Sequence, residues 1–214
     1  MIIKNAQFVT SVASDKNILE SGLPEIAVAG KSNVGKSSFI NFITNHGKLA
    51  KTSKEPGRTR LVNYFSCNNN QFMLVDLPGY GFARVSDAEK EKWGTLIEGY
   101  LQNSKTLRSV FVLLDIRRVP SDDDKMMINY LHHYCIPMTI IATKADKLTR
   151  NELNKNIRVL AQTLAIGIDN IFVTSSFKKT GAEKVFARIE DLIAPREEVA
   201  EDESLEEEIV NEEG

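Results

Sequence analysis

The chain reads as an α/β domain of three layers: a six-stranded, mostly parallel sheet with one antiparallel edge strand and helices on both faces. Three observations carry this reading. Six short apolar runs, at 25–30, 61–67, 71–77, 109–116, 137–143 and 170–174, alternate with segments of helical apolar spacing, the pattern of a sheet buried between helices. The first run passes into a glycine-rich octapeptide that opens a helix-like stretch. The second and third runs are separated by Asn68, Asn69 and Asn70 alone, which can close a hairpin but cannot hold a crossover. That pair must therefore be antiparallel, with the second run at the sheet edge.

The helices are read from caps and spacing. Ser86 with Glu89, Thr149 with Glu152 and Thr180 with Glu183 are potential capping boxes, in which a hydroxyl and a carboxylate three residues on satisfy orphan backbone donors. After Ser86, the residues Trp93, Leu96, Ile97, Tyr100 and Leu101 fall on one stripe, and Val185, Phe186, Ile189, Leu192 and Ile193 repeat the pattern in the last helix. Trp93 on such a stripe is read as core. Asp122, Asp123 and Asp124 load a helix N-terminus rather than chelate a metal.

The domain is expected to span 1–195, followed by a disordered acidic tail at 196–214. Of 29 acidic residues, ten lie between Glu197 and Gly214, where no basic residue occurs, which leaves the first 196 residues with 27 basic and 19 acidic side chains, a net +8. Such a tail, poor in aromatics, cannot bury enough surface to fold alone. Cys67 and Cys135 are the only cysteines, so no disulfide framework and no zinc site is indicated, and a reducing compartment suits the chain. The start lacks a signal-peptide pattern, and no apolar run approaches the roughly 18 residues of a membrane helix. A cytoplasmic protein that does not engage membranes, acting as a monomer, is expected. The segment 46–60 lacks apolar periodicity and carries Lys48, Lys51, Lys54, Arg58 and Arg60 against Glu55 alone. It is a basic loop of a length usually reserved for function.

The octapeptide Gly30-Lys31-Ser32-Asn33-Val34-Gly35-Lys36-Ser37 is a phosphate loop. Glycines let the backbone N–H groups turn inward around a polyphosphate, and the helix behind adds its positive dipole end. Lys36 would neutralise β- and γ-phosphates, and the Ser37 hydroxyl would ligate Mg²⁺. A random chain of this length holds the pattern by chance roughly once in a hundred, and a strand before with a helix after lowers that further. Asp76-Leu77-Pro78-Gly79 ends the third run at the same edge of the sheet; Asp76 is placed to hold Mg²⁺ through a water and the Gly79 amide to reach the γ-phosphate. Thr59, within Gly57-Arg58-Thr59, would add a second hydroxyl ligand for Mg²⁺. Two segments, about 46–60 and 79–92, would then be ordered by γ-phosphate and metal and relax on hydrolysis.

Thr143-Lys144-Ala145-Asp146 ends the fifth run, at the end where ligands of open parallel sheets bind. A carboxylate at Asp146 can accept from guanine N1–H and the 2-amino group, which adenine does not offer, so GTP and GDP are the expected nucleotides. Lys144 would lay its stem over the base. Thr174-Ser175-Ser176 ends the sixth run and can present backbone N–H groups to guanine O6.

Gly30 to Ser37, Gly57-Arg58-Thr59, the run Asp76-Leu77-Pro78-Gly79-Tyr80-Gly81-Phe82-Ala83, Leu114-Asp115-Ile116-Arg117-Arg118, Thr143 to Asp146 and the run from Ser175 to Gly181 together resemble the EngB (YihA/YsxC) family of bacterial GTP-binding proteins, among the Ras-like GTPases of the TRAFAC class. The resemblance spans about 5–195 and includes the helix at Glu89 to Trp93. It implies a P-loop NTPase fold of the Ras-like G-domain type, Mg²⁺-dependent GTP binding, slow hydrolysis, and a role in assembling the large ribosomal subunit through contacts with rRNA and ribosomal proteins. A need in normal cell division and septation is implied as well. Thr143 stands where many GTPases carry Asn.

Lys36, Thr59 and Gly79 are the residues expected to act on the reacting phosphate. The position after Asp-x-x-Gly, which in Ras-like enzymes holds a water-orienting Gln, is Tyr80, so unaided turnover should be slow. K⁺ held by Asn33, or a ribosomal component, could complete the site. Arg84, Arg117 and Arg118 are read as solvated or locally paired rather than catalytic. The competing reading is a nucleotide-gated binding module that recruits a cell-division partner, with hydrolysis incidental.

Overall fold

The structure, a computed structural model, describes residues 1–50, 61–81 and 87–195, with the side chains of 87–93 excluded. Seven strands form one sheet: β1 (Ala6–Val12), β2 (Glu25–Gly30), β3 (Val62–Cys67), β4 (Phe72–Asp76), β5 (Leu107–Asp115), β6 (Met138–Thr143) and β7 (Ile171–Val173), in the order β1-β3-β4-β2-β5-β6-β7. Five helices accompany them: α1 (Lys36–Ile43), α2 (Asp87–Asn103), α3 (Asp122–His133), α4 (Arg150–Leu164) and α5 (Ala182–Ile193).

Strand alternation builds two cores. Ile26 and Val28 of β2 point to the face covered by α1 and α5, where they join Phe39, Ile40, Ile43, Val185 and Ile189. Ala27 and Ala29 point to the other, with Leu96, Ile97, Tyr100, Ile128, Leu131 and Leu160 of α2, α3 and α4. Both faces of each central strand are thus dry, the reason β2 and β4 are buried at every position.

β3 runs antiparallel to β4, and the connection is made by Asn68, Asn69 and Asn70, all at positive φ (50°, 55° and 65°), a conformation asparagine tolerates better than most residues. β3 is not the edge strand, however. β1 lies outside it, antiparallel, so the sheet has seven strands rather than six and the edge is Ala6–Val12. The pairing slips between Phe8 and Thr10, and only Ala6 and Val12 of β1 are buried. A bulge flips the alternation midway, which erased the period-two signal.

The capping boxes fare differently. Thr149 and Glu152 form theirs at α4, and Ser121 with Asp124 forms another at α3, where the three aspartates load the first turn. The expected box of Thr180 and Glu183 is absent. Gly181, at φ 83°, caps α5, while Thr180 exchanges backbone hydrogen bonds with Ser175 (3.0 and 3.1 Å). A Cβ on Gly181 would sit 2.1 Å from the Val173 carbonyl oxygen, so this glycine sets the corner between β7 and α5. Ser86 at the start of α2, the side chain of Trp93, Arg84 and the residues 196–214 lie outside the described residues.

Because β2 lies between β4 and β5, the chain turns to opposite sides after it, and a crevice opens at the carboxyl ends of the strands. Register places the ends on one rim: Val28 opposite Asp76, Gly30 opposite Leu113, Asp115 opposite Thr143, and Ala142 opposite Val173.

Candidate functional site

The phosphate loop leaves β2 at Gly30, where a Cβ would meet Val34 Cγ1 at 2.9 Å and the Leu113 carbonyl oxygen at 3.1 Å. Glycine is therefore required by the close approach of the loop to β5. Asn33 (φ 64°) and Gly35 (φ 108°) then turn the chain into α1. Within the loop, Ser32 donates its N–H to the Tyr80 carbonyl (2.9 Å) and Val34 to that of Lys31 (3.1 Å). Among the described residues, the amides of Asn33, Gly35, Lys36 and Ser37 have no acceptor, and they cluster at the N-terminus of α1.

Lys36 and Asp76 are ion-paired, with side chains 10% and 5% exposed. Asp76 ends β4 directly beside β2, so the pair sits at the mouth of the loop. Gly79 lies against the loop as well, its Cβ position 3.5 Å from the Gly30 carbonyl oxygen and 3.6 Å from Ser32 N. Tyr80 follows in a bridge with Lys31, and its phenol turns away from the loop to donate to Asp124 Oδ1 (3.0 Å). Burial, reinforced by the neighbouring Asp124 carboxylate, pushes the phenol far above its ordinary pKa. Lys31 points the same way, to Ser121 Oγ (3.1 Å) and Asp123 Oδ2 (2.9 Å). Both side chains tie the loop to α3 rather than facing a ligand.

At the other end of the rim the groups hold one another. The Thr143 hydroxyl, buried, lies within hydrogen-bond reach of the Val34 carbonyl (2.9 Å) and the Leu114 carbonyl (3.1 Å), which fastens β6 to the phosphate loop and β5. Lys144 adopts the left-handed region (φ 63°, ψ 32°) and starts the turn of Ala145 to Lys147, anchored by the Ala145 N–H on the Thr174 carbonyl (3.2 Å). Asp146 Oδ1 accepts from Ser175 Oγ at 2.7 Å, and this bond, with help from Lys147, holds the carboxyl below its ordinary range. A cavity of about 530 Å³ opens between Gly35, Lys144, Asp146, Ser176 and Phe177. That volume suits a purine nucleoside.

The site residues read from the sequence divide accordingly. Gly30 to Ser37, Asp76 to Gly79, Thr143 to Asp146 and Thr174 to Ser176 all reach one rim. Leu77 is buried, with its N–H on the Val28 carbonyl (3.0 Å), and Pro78 joins it to Gly79. Of the three amides expected to face guanine O6, two are spent: Thr174 donates to the Ala142 carbonyl (2.8 Å) and Ser175 to that of Thr180 (3.0 Å). The expectation narrows to Ser176, while Ser175 contributes its hydroxyl to Asp146. Gly57, Arg58 and Thr59 lie outside the described residues, as does the basic loop beyond residue 50. Two residues were missed. Phe177, 81% exposed at the rim of the cavity with Lys147 Nζ 5.3 Å from its ring centroid, gave no signal as a single aromatic in a polar loop. Asp115, within a motif that carried only a resemblance, bonds Lys144 Nζ at 2.9 Å.

Among the described residues no three His, Cys, Asp or Glu side chains converge on a metal site, and no helix is long and apolar enough to cross a membrane. Residues 25–144 match a family described as 50S ribosome-binding GTPases. A probable GTP-binding protein EngB from Mycoplasma capricolum is 44% identical over 91% of this chain and 100% of its own length. A crystal structure of a probable GTP-binding protein EngB superposes with a TM-score of 0.67 at 25% identity, over 80% of this chain and all of its own. The structure of Era in complex with MgGDPNP and nucleotides 1506–1542 of 16S ribosomal RNA superposes with a TM-score of 0.62 at 19% identity, over 82% of this chain and 58% of that one, a likeness of fold. With these identities and coverage, a phosphate loop at the switch point of the sheet and Thr-Lys-Ala-Asp on the same rim, the chain belongs to the EngB family of GTP-binding proteins, GTPases with the G-domain fold.

Proposed function

We propose that residues 1–195 form a G domain that binds GTP and GDP with magnesium along this rim, hydrolyses GTP slowly, and serves as a switch in assembly of the large ribosomal subunit in the cytoplasm, with normal cell division and septation dependent on that role. The chain would act as a monomer, with 196–214 as an acidic appendage. One observation carries the reading: loop amides with no acceptor among the described residues and a Lys36–Asp76 pair stand at one end of a continuous rim, and a purine-sized cavity walled by Lys144 and Asp146 stands at the other.

The donor set fits magnesium. Asp76 and Ser37 offer the hard oxygens that ion takes, and with no three-carboxylate cluster among the described residues its remaining ligands would be phosphate oxygens and water. Held by Asp76 and Ser37, it would supply positive charge to offset that of the phosphates. The rest falls to the chain. The loop amides and Lys36 bind the phosphates, Lys36 exchanging Asp76 for a more highly charged partner. The Gly79 N–H is placed for the γ-phosphate, and Thr59 would join from the basic loop. Asp146 accepts from the guanine N1–H and 2-amino group, Ser176 donates to O6, and the Lys144 stem covers the base. No amide side chain follows Gly79 to orient the attacking water, and the Tyr80 phenol is committed to Asp124, which supports a slow unaided reaction. K⁺ near Asn33, or a ribosomal component, would accelerate it.

The ribosomal part of the proposal draws on the family description and on the +8 charge of residues 1–196, which favours RNA phosphates at low salt. Calorimetry with magnesium should detect uptake of GDP and a GTP analogue but not ADP. Cosedimentation should then place the analogue-bound chain on large-subunit particles in a salt-sensitive manner. Absence of guanine-nucleotide uptake would refute the site, and analogue-independent sedimentation would refute the switch.

A further inference from the structure

Lys144 is a wall shared by two cavities. One is the space of about 530 Å³ over Asp146. The other, of about 410 Å³, lies between Lys31 to Val34 and the turn after β5, and its lining includes Asp115, Arg117 and Arg118. Only the first is used by the function proposed above.

Asp115 occupies the far side of Lys144. Its carboxylate accepts from Lys144 Nζ (2.9 Å), from Arg117 Nε and a terminal nitrogen of the same guanidinium (2.9 and 2.7 Å), and from the Arg117 backbone N–H (3.1 Å). The turn that presents it is closed by Arg118 N–H on the Asp115 carbonyl (3.0 Å) and by Ile116 N–H on the Thr143 carbonyl (3.2 Å). Lys144 Nζ also donates to the Asn33 carbonyl (2.7 Å), so the ammonium is gripped between the phosphate loop and β5. Its Cε passes 3.7 Å from the Cβ position of Gly35, which lays the stem across the loop. Lysine is a flexible point charge, and a carbonyl alone would leave that stem several rotamers. Two cations on one carboxylate leave Asp115 nothing to gain by protonation: burial pushes its pKa up, but the Arg117 and Lys144 hydrogen bonds outweigh that and hold it well below the usual carboxylate range.

We propose that Asp115 is a positioning residue of the guanine-nucleotide site: it holds the Lys144 ammonium so that the lysine stem forms the face against which the purine rests, and Arg117 fixes the carboxylate in turn. The inference rests on the nucleotide reading above. It makes the turn after β5 part of the site although it faces away from the base.

The test follows dissociation of a fluorescent N-methylanthraniloyl GDP from the full-length chain with magnesium. Asp115→Asn should speed release about tenfold, the worth of one charge-assisted hydrogen bond. Asp115→Glu should recover part of the loss. In a Lys144→Ala background, Asp115→Asn should have no further effect, because a residue acting through Lys144 loses its lever. Arg117→Gln should speed release about threefold, again only with Lys144 present. If Asp115→Asn releases nucleotide at the wild-type rate, or if its effect adds in full to that of Lys144→Ala, the proposal is overturned. Should Asp115→Asn fail to fold, Arg117→Gln decides by the same two criteria. A wild-type chain that takes up no guanine nucleotide overturns the site reading and this proposal together, whereas a wild type that binds with Asp115 inert overturns this proposal alone.

Discussion

The two ends of the rim are built on different principles. At the guanine end three side chains are already held by other groups of the protein: Thr143 by the Val34 and Leu114 carbonyls, Asp146 by Ser175, Lys144 by Asn33 and Asp115. At the phosphate end Lys36 and Asp76 hold only one another, and four loop amides have no acceptor among the described residues. The first end is preorganised and, on the proposed function, would recognise a shape that does not change during the reaction. The second would have to exchange partners, because on that function what it binds is created and destroyed by the reaction. Tyr80 marks the boundary: its carbonyl accepts from the phosphate loop, and its phenol is moored to α3.

Breaking each end should have a distinct signature. The largest effect is expected for Lys36→Ala, which removes the only side-chain cation paired with Asp76 among the described residues. Guanine-nucleotide affinity measured by calorimetry should fall on the order of a thousandfold or more, with GMP much less affected than GDP. Asp146→Asn should lower GDP affinity about a hundredfold and transfer preference toward xanthine nucleotides, whose C2 carbonyl can accept from the new amide. Competition between GDP and XDP measures this. An equal loss for both bases would mean that Asp146 serves only the fold of its turn.

A smaller effect separates the ends by pH. Asp115 and Asp146 are both held below the ordinary carboxylate range, so their folded forms bind protons less readily than the unfolded chain. Their contribution to stability is complete above the unfolded carboxylate value of about 4 and is lost as pH falls through their depressed values. Between pH 8 and 5 the guanine end should thus be insensitive to acid: unfolding midpoints of the unloaded chain should exceed those of Asp115→Asn by a constant margin there, and the two should converge only as pH falls below about 4. The smallest effect is expected for Tyr80→Phe, which removes one hydrogen bond to Asp124. Chemical denaturation should show a loss of about 1 kcal/mol, while single-turnover hydrolysis stays within a factor of about two, since the phenol does not face the phosphates. A large fall in hydrolysis would mean that the phenol acts at the phosphates after all.

Much of this was legible from one dimension. Gly30 to Ser37, Asp76 to Gly79 and Thr143 to Asp146 lie at ends of apolar runs, and parallel strands carry such ends to one rim without further information. What escaped was non-local. β1 was missed because a bulge scrambles its alternation and because its partner is fifty or more residues away. The cap of α5 was misread at Thr180 because Gly181 packs against Val173, a contact no local pattern announces. Thr174 and Ser175 looked like free donors until the Ala142 carbonyl of β6 and the Thr180 carbonyl before α5 claimed their amides.

By itself, the order of residues determined the α/β architecture, the phosphate loop, the hairpin through three asparagines and the placing of Asp146 on the same rim. These depend on periodicity and backbone preferences, which act over a few residues. Only the tertiary structure decided which strand is the edge, which amides are already spent, that Lys31 and Tyr80 brace α3, and that Asp115 stands behind Lys144. Those depend on which donors and acceptors meet across the sheet, and a hydrogen bond between residues 29 apart, as between Asp115 and Lys144, leaves no trace in the spacing of either.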